Sequence, residues 1–74
     1  MYLVSILIDH REEEVPDVQA VLTKYGKNII SRLGLHQCKE GENLLVIVYN
    51  AEDVTEFAAE LKTSGNIDVN YMQA

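Results

Sequence analysis

Apolar runs and amphipathic stretches alternate along the 74 residues as strand, helix, strand, strand, helix, strand, and this order predicts an α+β sandwich. Three observations carry the prediction. Residues 44–50, Leu44-Leu45-Val46-Ile47-Val48-Tyr49-Asn50, form a short β-branched and aromatic run that is apolar on both alternating faces. Tyr2–Asp9 has the same two-sided character. Two further stretches repeat their apolar residues at helical rather than strand spacing.

In the first strand, Tyr2, Val4, Ile6 and Ile8 share one face, and Leu3, Ser5 and Leu7 share the other. A polar connection with Glu12, Glu13 and Glu14 follows. Consecutive carboxylates cannot all converge on a hard metal, so they read as acids at the positive end of a helix. Pro16 suits a first helical turn, where a missing N–H is harmless. Val18, Val21, Leu22 and Tyr25 then recur at i, i+3, i+4 and i+7. Ile29 and Leu33 would extend that stripe, but Gly34 disfavours a long helix, so the helix is expected to end within residues 25–28.

Residues 29–37 read as a second strand, with Ile29, Ser31, Leu33 and Leu35 on one face and Ile30, Arg32, Gly34 and His36 on the other. Residues 39–43 are expected to form the hairpin turn into residues 44–50. Asp53 and Glu56 have the spacing of a capping box, with Asn50 an alternative cap, and Val54, Phe57, Ala58 and Leu61 form the buried stripe of a second helix. Ser64-Gly65-Asn66 ends it, with Gly65 at the C′ position. In residues 67–72, Ile67, Val69 and Tyr71 alternate with Asp68, Asn70 and Met72, a one-faced strand.

Right-handed crossovers turn this order into a ferredoxin-like βαββαβ sandwich: an antiparallel sheet in the order 4-1-3-2 with both helices on one face. The strands predicted central are the first and third, the two that are apolar on both faces. Consistency between levels supports the fold. It also leaves the second face of the sheet without cover, so a homo-oligomer packing through that face is expected, with edge-strand pairing as the alternative. A chain this short forms a thin core and gains from association.

Twelve acidic residues against six basic ones give a net charge of −6, which disfavours direct nucleic-acid binding. Cys38 is the lone cysteine, so no disulfide forms within the chain and a reducing compartment fits. No basic leader precedes the first strand, and Asp9 ends its apolar run too early to span a bilayer; a cytoplasmic location is expected, with no membrane partner.

Chemistry-bearing residues are sparse. His36 and Cys38 would point the same way on an extended strand and present soft ligands to nickel, copper or zinc, against the plainer reading of strand-end residues. Lys24, Lys27, Arg32 and Lys39 gather in one part of the chain, either as a solvated surface or as an anion site in which Arg32 offers a bidentate fork. Tyr2, Tyr25, Tyr49 and Tyr71 would stack a ring-shaped ligand, but core or interface packing is the default. His10, His36 and Glu40 are the loose acid–base candidates for an enzyme, which ranks last.

Tyr25-Gly26-Lys27-Asn28-Ile29-Ile30-Ser31-Arg32-Leu33-Gly34-Leu35 resembles the Tyr-Gly-x-x-Ile-Ile-Gly-Arg-Met-Gly-Ile/Leu-Pro stretch of the regulators of iron-only hydrogenase systems. The layout of the following strand, helix and closing strand is similar too. That family resembles ACT domains and the C-terminal ligand-binding domain of the nickel-responsive repressor. The resemblance implies a ferredoxin-like fold and a non-enzymatic regulatory or sensing module, oligomeric, binding a small molecule or a partner protein of unknown identity. It includes a role in transcription regulation through a separate DNA-binding partner. Ser31 stands in place of a family Gly, and His36-Gln37-Cys38 stands where the family tends to Pro-Tyr-Arg. No Gly lies between Asp9 and Pro16, where amino-acid-binding ACT domains carry one, and the His-rich nickel pattern is missing. The implied ligand-binding candidates are Arg32 and Gly34, which match the motif, with His36 beside them.

Overall fold

The computed structural model describes residues 1–9, 15–39, 42–64 and 67–74. Strand β1 (Tyr2–Asp9), helix α1 (Val15–Lys24), strands β2 (Ile29–Lys39) and β3 (Glu42–Tyr49), helix α2 (Thr55–Thr63) and strand β4 (Ile67–Gln73) follow in the expected order. A 3-10 turn at Gly26–Asn28 leads from α1 into β2. The strands pair antiparallel in the order β2-β3-β1-β4, which is the expected 4-1-3-2 arrangement.

Directly opposed residues share a face of a sheet, so the register assigns every side chain to a layer. Val4 lies opposite Ile47 and Tyr71, and Ile6 opposite Leu45 and Val69. These rows turn towards the helices. Val4, Ile6 and Ile47 are fully buried against Val18 and Leu22 of α1 and Phe57 and Leu61 of α2. Both helices therefore cover the same face. Tyr49 stacks on Phe57 with ring centroids 4.4 Å apart, and Tyr25 tilts against the same Phe57 ring at 5.1 Å. This aromatic cluster joins the end of α1, the end of β3 and α2 into one core.

Local chemistry explains the ends of the elements. The Tyr25 amide makes a last helical bond to the Val21 carbonyl at 3.1 Å, and the chain then tightens into the 3-10 turn. Asn28 and Asn50 fasten the start of β2 to the end of β3: the Asn50 amide donates to the Asn28 carbonyl at 2.8 Å, and Asn28 Nδ2 donates to the Asn50 carbonyl at 3.0 Å. At α2, Asp53 Oδ1 accepts from the Thr55 amide at 3.0 Å and the Thr55 hydroxyl at 2.8 Å. Asp53 thus satisfies an otherwise orphaned N-terminal donor from one position ahead of the N-cap, which is Val54 and makes no side-chain cap bond; the expected capping box with Asp53 as the cap is not formed, and Asn50 serves the sheet. At the other end, Ser64 donates through its amide and hydroxyl to the Leu61 carbonyl. The expected C′ glycine, Gly65, lies outside the described residues.

Two further expectations need correction. The hairpin is tighter than the predicted turn over residues 39–43, because β2 continues to Lys39, β3 starts at Glu42, and these two residues pair. Polar Glu42 and Asn43 remain in the ladder because Asp9 and Ile8 of β1 face them across the sheet centre. In β2, Ile29 does not share a face with Ser31, Leu33 and Leu35. The register shifts between Ile29 and Ser31, so Ile29 lies opposite Tyr49 while Ser31 lies opposite Val48. An irregularity of this kind turns one residue inward without moving those that follow, and Ile29 packs against the core. A second shift separates Leu35 from Lys39.

Since Ile6 is wholly buried on the helix side, Ile6→Val should lower stability by about 0.5–1.5 kcal/mol. Urea denaturation measures this, and an unchanged midpoint would place Ile6 outside the core.

Candidate functional site

Two surface features stand out, one on each side of the sheet. On the helix side, β2 and α1 border an open cleft of about 210 Å³. Arg32 and Gly34 lie two residues apart on β2, opposite Ile47 and Leu45. That register puts both on the face that carries α1. From α1, Gln19 accepts a hydrogen bond at Oε1 from Arg32 Nη2 at 3.2 Å. Ile8 and Leu45 supply the apolar part of the wall, and Asn43 adds a polar group. No acidic side chain is among the described residues lining the cleft.

Gly34 is the informative residue. Glycine in a strand interior costs about 0.5–1 kcal/mol relative to alanine and usually marks a bulge, a left-handed turn or the close approach of another chain. Here its backbone lies outside the left-handed region, and a Cβ added to it would meet nothing within 4 Å. Neither conformation nor packing within the chain requires glycine. What a side chain here would occupy is the space of the cleft.

The structure thus brings together two of the three predicted ligand-binding residues, Arg32 and Gly34. The side chain of His36, like that of Cys38, lies outside the described part, so the predicted soft-metal pair does too. Among the described residues there is no group of three or more His, Cys, Asp or Glu side chains able to hold a metal. His10, Glu40 and Glu12, Glu13 and Glu14 also lie outside. Gln19 is the cleft residue that sequence reasoning missed; an exposed glutamine on an amphipathic helix carries no signal of its own.

Of the predicted basic grouping, Lys24 and Arg32 turn to different partners, and the Lys39 side chain lies outside the described part. Lys24 turns to α2 and forms an ion pair with Glu60 at 2.9 Å, while Arg32 turns to Gln19. The Tyr25 hydroxyl donates to the second carboxylate oxygen of Glu60. Hydrogen bonds from Lys24 and Tyr25 hold the Glu60 carboxyl below its usual range, and the same carboxylate raises both Lys24 and Tyr25. Burial pushes Tyr49 upward. The junction is a strut between helices rather than a binding site. Nor do the tyrosines offer a free platform: Tyr25 and Tyr49 pack with Phe57, and Tyr2 meets Tyr71 edge-on at 6.2 Å.

On the opposite side, the rows Leu3–Val48, Ser5–Val46 and Leu7–Leu44 run across the central strands. Ser31, Leu33 and Leu35 of β2 continue them on one side, and Met72, Asn70 and Asp68 of β4 on the other. Leu33 is 56% exposed, Met72 61% and Leu35 40%. A shallow depression of about 430 Å³ lies near the centre, bordered by Leu3, Ser5, Val46, Asn70 and Met72. No described helix covers this face.

Comparison with known proteins supports both the fold and a lineage. The family model "TM1266-like: Iron-only hydrogenase system regulator, putative" matches residues 1–67. Among solved structures, the uncharacterized protein TM1266 from Thermotoga maritima is similar, with a TM-score of 0.85 and 19% identity over 96% of this chain and 91% of that one. An unknown protein from Galdieria sulphuraria superposes with a TM-score of 0.72 and 20% identity; 99% of this chain is covered, but only 43% of that chain. No curated protein matches.

The Glu60 junction makes a pH-dependent prediction. Because the folded-state pKa of Glu60 is depressed, its contribution is present above the ordinary value of 4.5 and is lost as pH falls through the lower folded value. Lys24 and Tyr25 are raised, so their contribution is lost as pH climbs through their folded values. Urea denaturation at neutral and acidic pH should therefore find Glu60→Gln less stable than wild type near neutrality, with the gap closing in acid. A gap independent of pH would mean that the ionised carboxylate does not brace the helices.

Proposed function

Because the chain belongs to the TM1266-like family of iron-only hydrogenase system regulators, we propose that it is a non-enzymatic regulatory and ligand-sensing module that works as a homodimer through its open sheet face. The observation that carries this is the row of leucine, valine and methionine side chains on that face. Contiguous exposed apolar surface of this kind is characteristic of interfaces.

A second copy of the chain is the occupant that fits. Four strands at about 4.8 Å spacing and roughly eight residues in length cover on the order of 500 Å² per copy, or about 1,000 Å² for a pair, near the threshold for a specific interface. Among the described residues, Asp68 at the β4 edge is the sole charged member of the rows through Leu3, Ser5 and Leu7 and their neighbours on β2 and β4. Within those rows, self-association therefore brings few like charges together despite the net charge of −6. Packing of two twisted sheets at about −30° or near a right angle would let Leu33 and Met72 fill the depression of the partner copy.

Within this reading, the cleft of Gln19, Arg32 and Gly34 is the ligand site and the dimer is the unit whose state the ligand reports. Regulation of transcription would run through a separate DNA-binding partner, since the negative charge disfavours direct contact with DNA. No described helix is long and apolar enough to cross a membrane, and the module is assigned to the cytoplasm with the rest of this proposal.

Light scattering coupled to size exclusion at micromolar concentration should give twice the chain mass of 8.4 kDa. Val46→Asp places a charge at the centre of the face and should return the chain mass while preserving the circular dichroism spectrum. A wild-type protein that elutes at the chain mass would end the dimer assignment.

A further inference from the structure

We infer that the cleft between α1 and β2 binds a small organic carboxylate with a compact apolar body, held by its charge on Arg32 and by its body over Gly34. The inference rests on the assignment of this cleft as the ligand site and goes further by naming the chemistry it takes.

The cleft divides into a polar and an apolar part. At the polar part, one of the five N–H donors of the Arg32 guanidinium is engaged by Gln19 among the described residues. That bond steadies the planar fork and leaves donors for a planar two-oxygen anion, the geometry a carboxylate supplies. No described residue lining the cleft carries a carboxylate that would compete for the guanidinium. A ligand cation would meet Arg32 with like charge and is disfavoured.

The apolar part is the space above Gly34, walled by Ile8 and Leu45. Arg32 and Gly34 are alternate residues of one strand, about 7 Å apart. A carboxylate on the first thus sets the rest of a small molecule over the second. The volume of about 210 Å³ corresponds to about seven waters, below the usual range for drug-sized ligands, and so limits the body to a small acid. The vacant space over Gly34 is what a substituent on the ligand would fill, and a side chain at this position would occupy it instead.

Amide chemical-shift mapping with three acids of increasing body size (acetate, isovalerate and 3-phenylpropionate) and their neutral amides tests this. The acids should shift the amides of Gln19, Arg32 and Gly34, with affinity rising with the apolar body. Each neutral amide should bind about tenfold more weakly or worse. Arg32→Gln should abolish the preference of acid over amide. Gly34→Val, which fills open space on a strand that favours β-branched residues, should keep the spectrum of a folded protein and lose binding of all three acids. Equal binding of acid and amide at the cleft would overturn the carboxylate inference and leave the cleft a ligand site. No shift at the cleft from any of the six compounds would overturn both. Undiminished acid binding by Arg32→Gln would overturn the role of the guanidinium.

Discussion

The pairing of β1 with β3, from Tyr2↔Tyr49 to Asp9↔Glu42, is the constraint on which the rest of the molecule depends. Both strands are apolar on both faces, so their register decides which residues become core and which become surface. A slip of one residue would send Val4 and Ile6 outward and Leu3 and Leu7 inward. The observed register sets Val4 against Ile47 and Ile6 against Leu45, which gives α1 and α2 a continuous surface to cover. Leu3, Leu7, Leu44, Val46 and Val48 then necessarily lie on the other side, where the chain offers no described helix to meet them. The open face follows from having two central strands of this composition and helices on one side only.

The topology was legible because it leaves a direct mark on residues. Tyr2–Asp9 and residues 44–50 lack a wet face, and only the two middle positions of a 4-1-3-2 sheet call for that. The helical stripes through Val18, Leu22, Phe57 and Leu61 were legible for the same reason: burial repeats at the period of the backbone. What periodicity cannot register is a break in itself. Ile29 looked like a companion of Ser31 and Leu33 because alternation assumes an unbroken ladder, and the shift in pairing with β3 separates them. Glu42 and Asn43 look like loop residues and so suggest too long a hairpin, although a central strand holds them through backbone bonds whatever their side chains. The Glu60 junction with Lys24 and Tyr25 joins residues 36 and 35 positions apart in the chain. No local pattern predicts that.

The candidate site was legible only as a motif. Arg32 and Gly34 could be marked from their resemblance to family residues, yet nothing in the sequence says that they border a cleft or that Gln19 completes it. The structure adds the physical reason to attend to Gly34, a strand glycine that neither backbone conformation nor packing explains. It also places β2 in two settings at once. Arg32 and Gly34 face the cleft, while Leu33 and Leu35 face the open side. In the proposed module, a ligand and a second subunit would therefore act on alternate residues of one edge strand.

In the proposed module another copy covers the open face, so folding and association are linked. The dependence of the thermal unfolding midpoint on protein concentration tests it most directly, because mass action stabilises a dimer as concentration rises and leaves a monomer unaffected. The midpoint of the wild-type chain should climb steadily as concentration is raised, and that of Val46→Asp should not change. A wild-type midpoint that stays constant with concentration would mean that the folded chain is not a dimer.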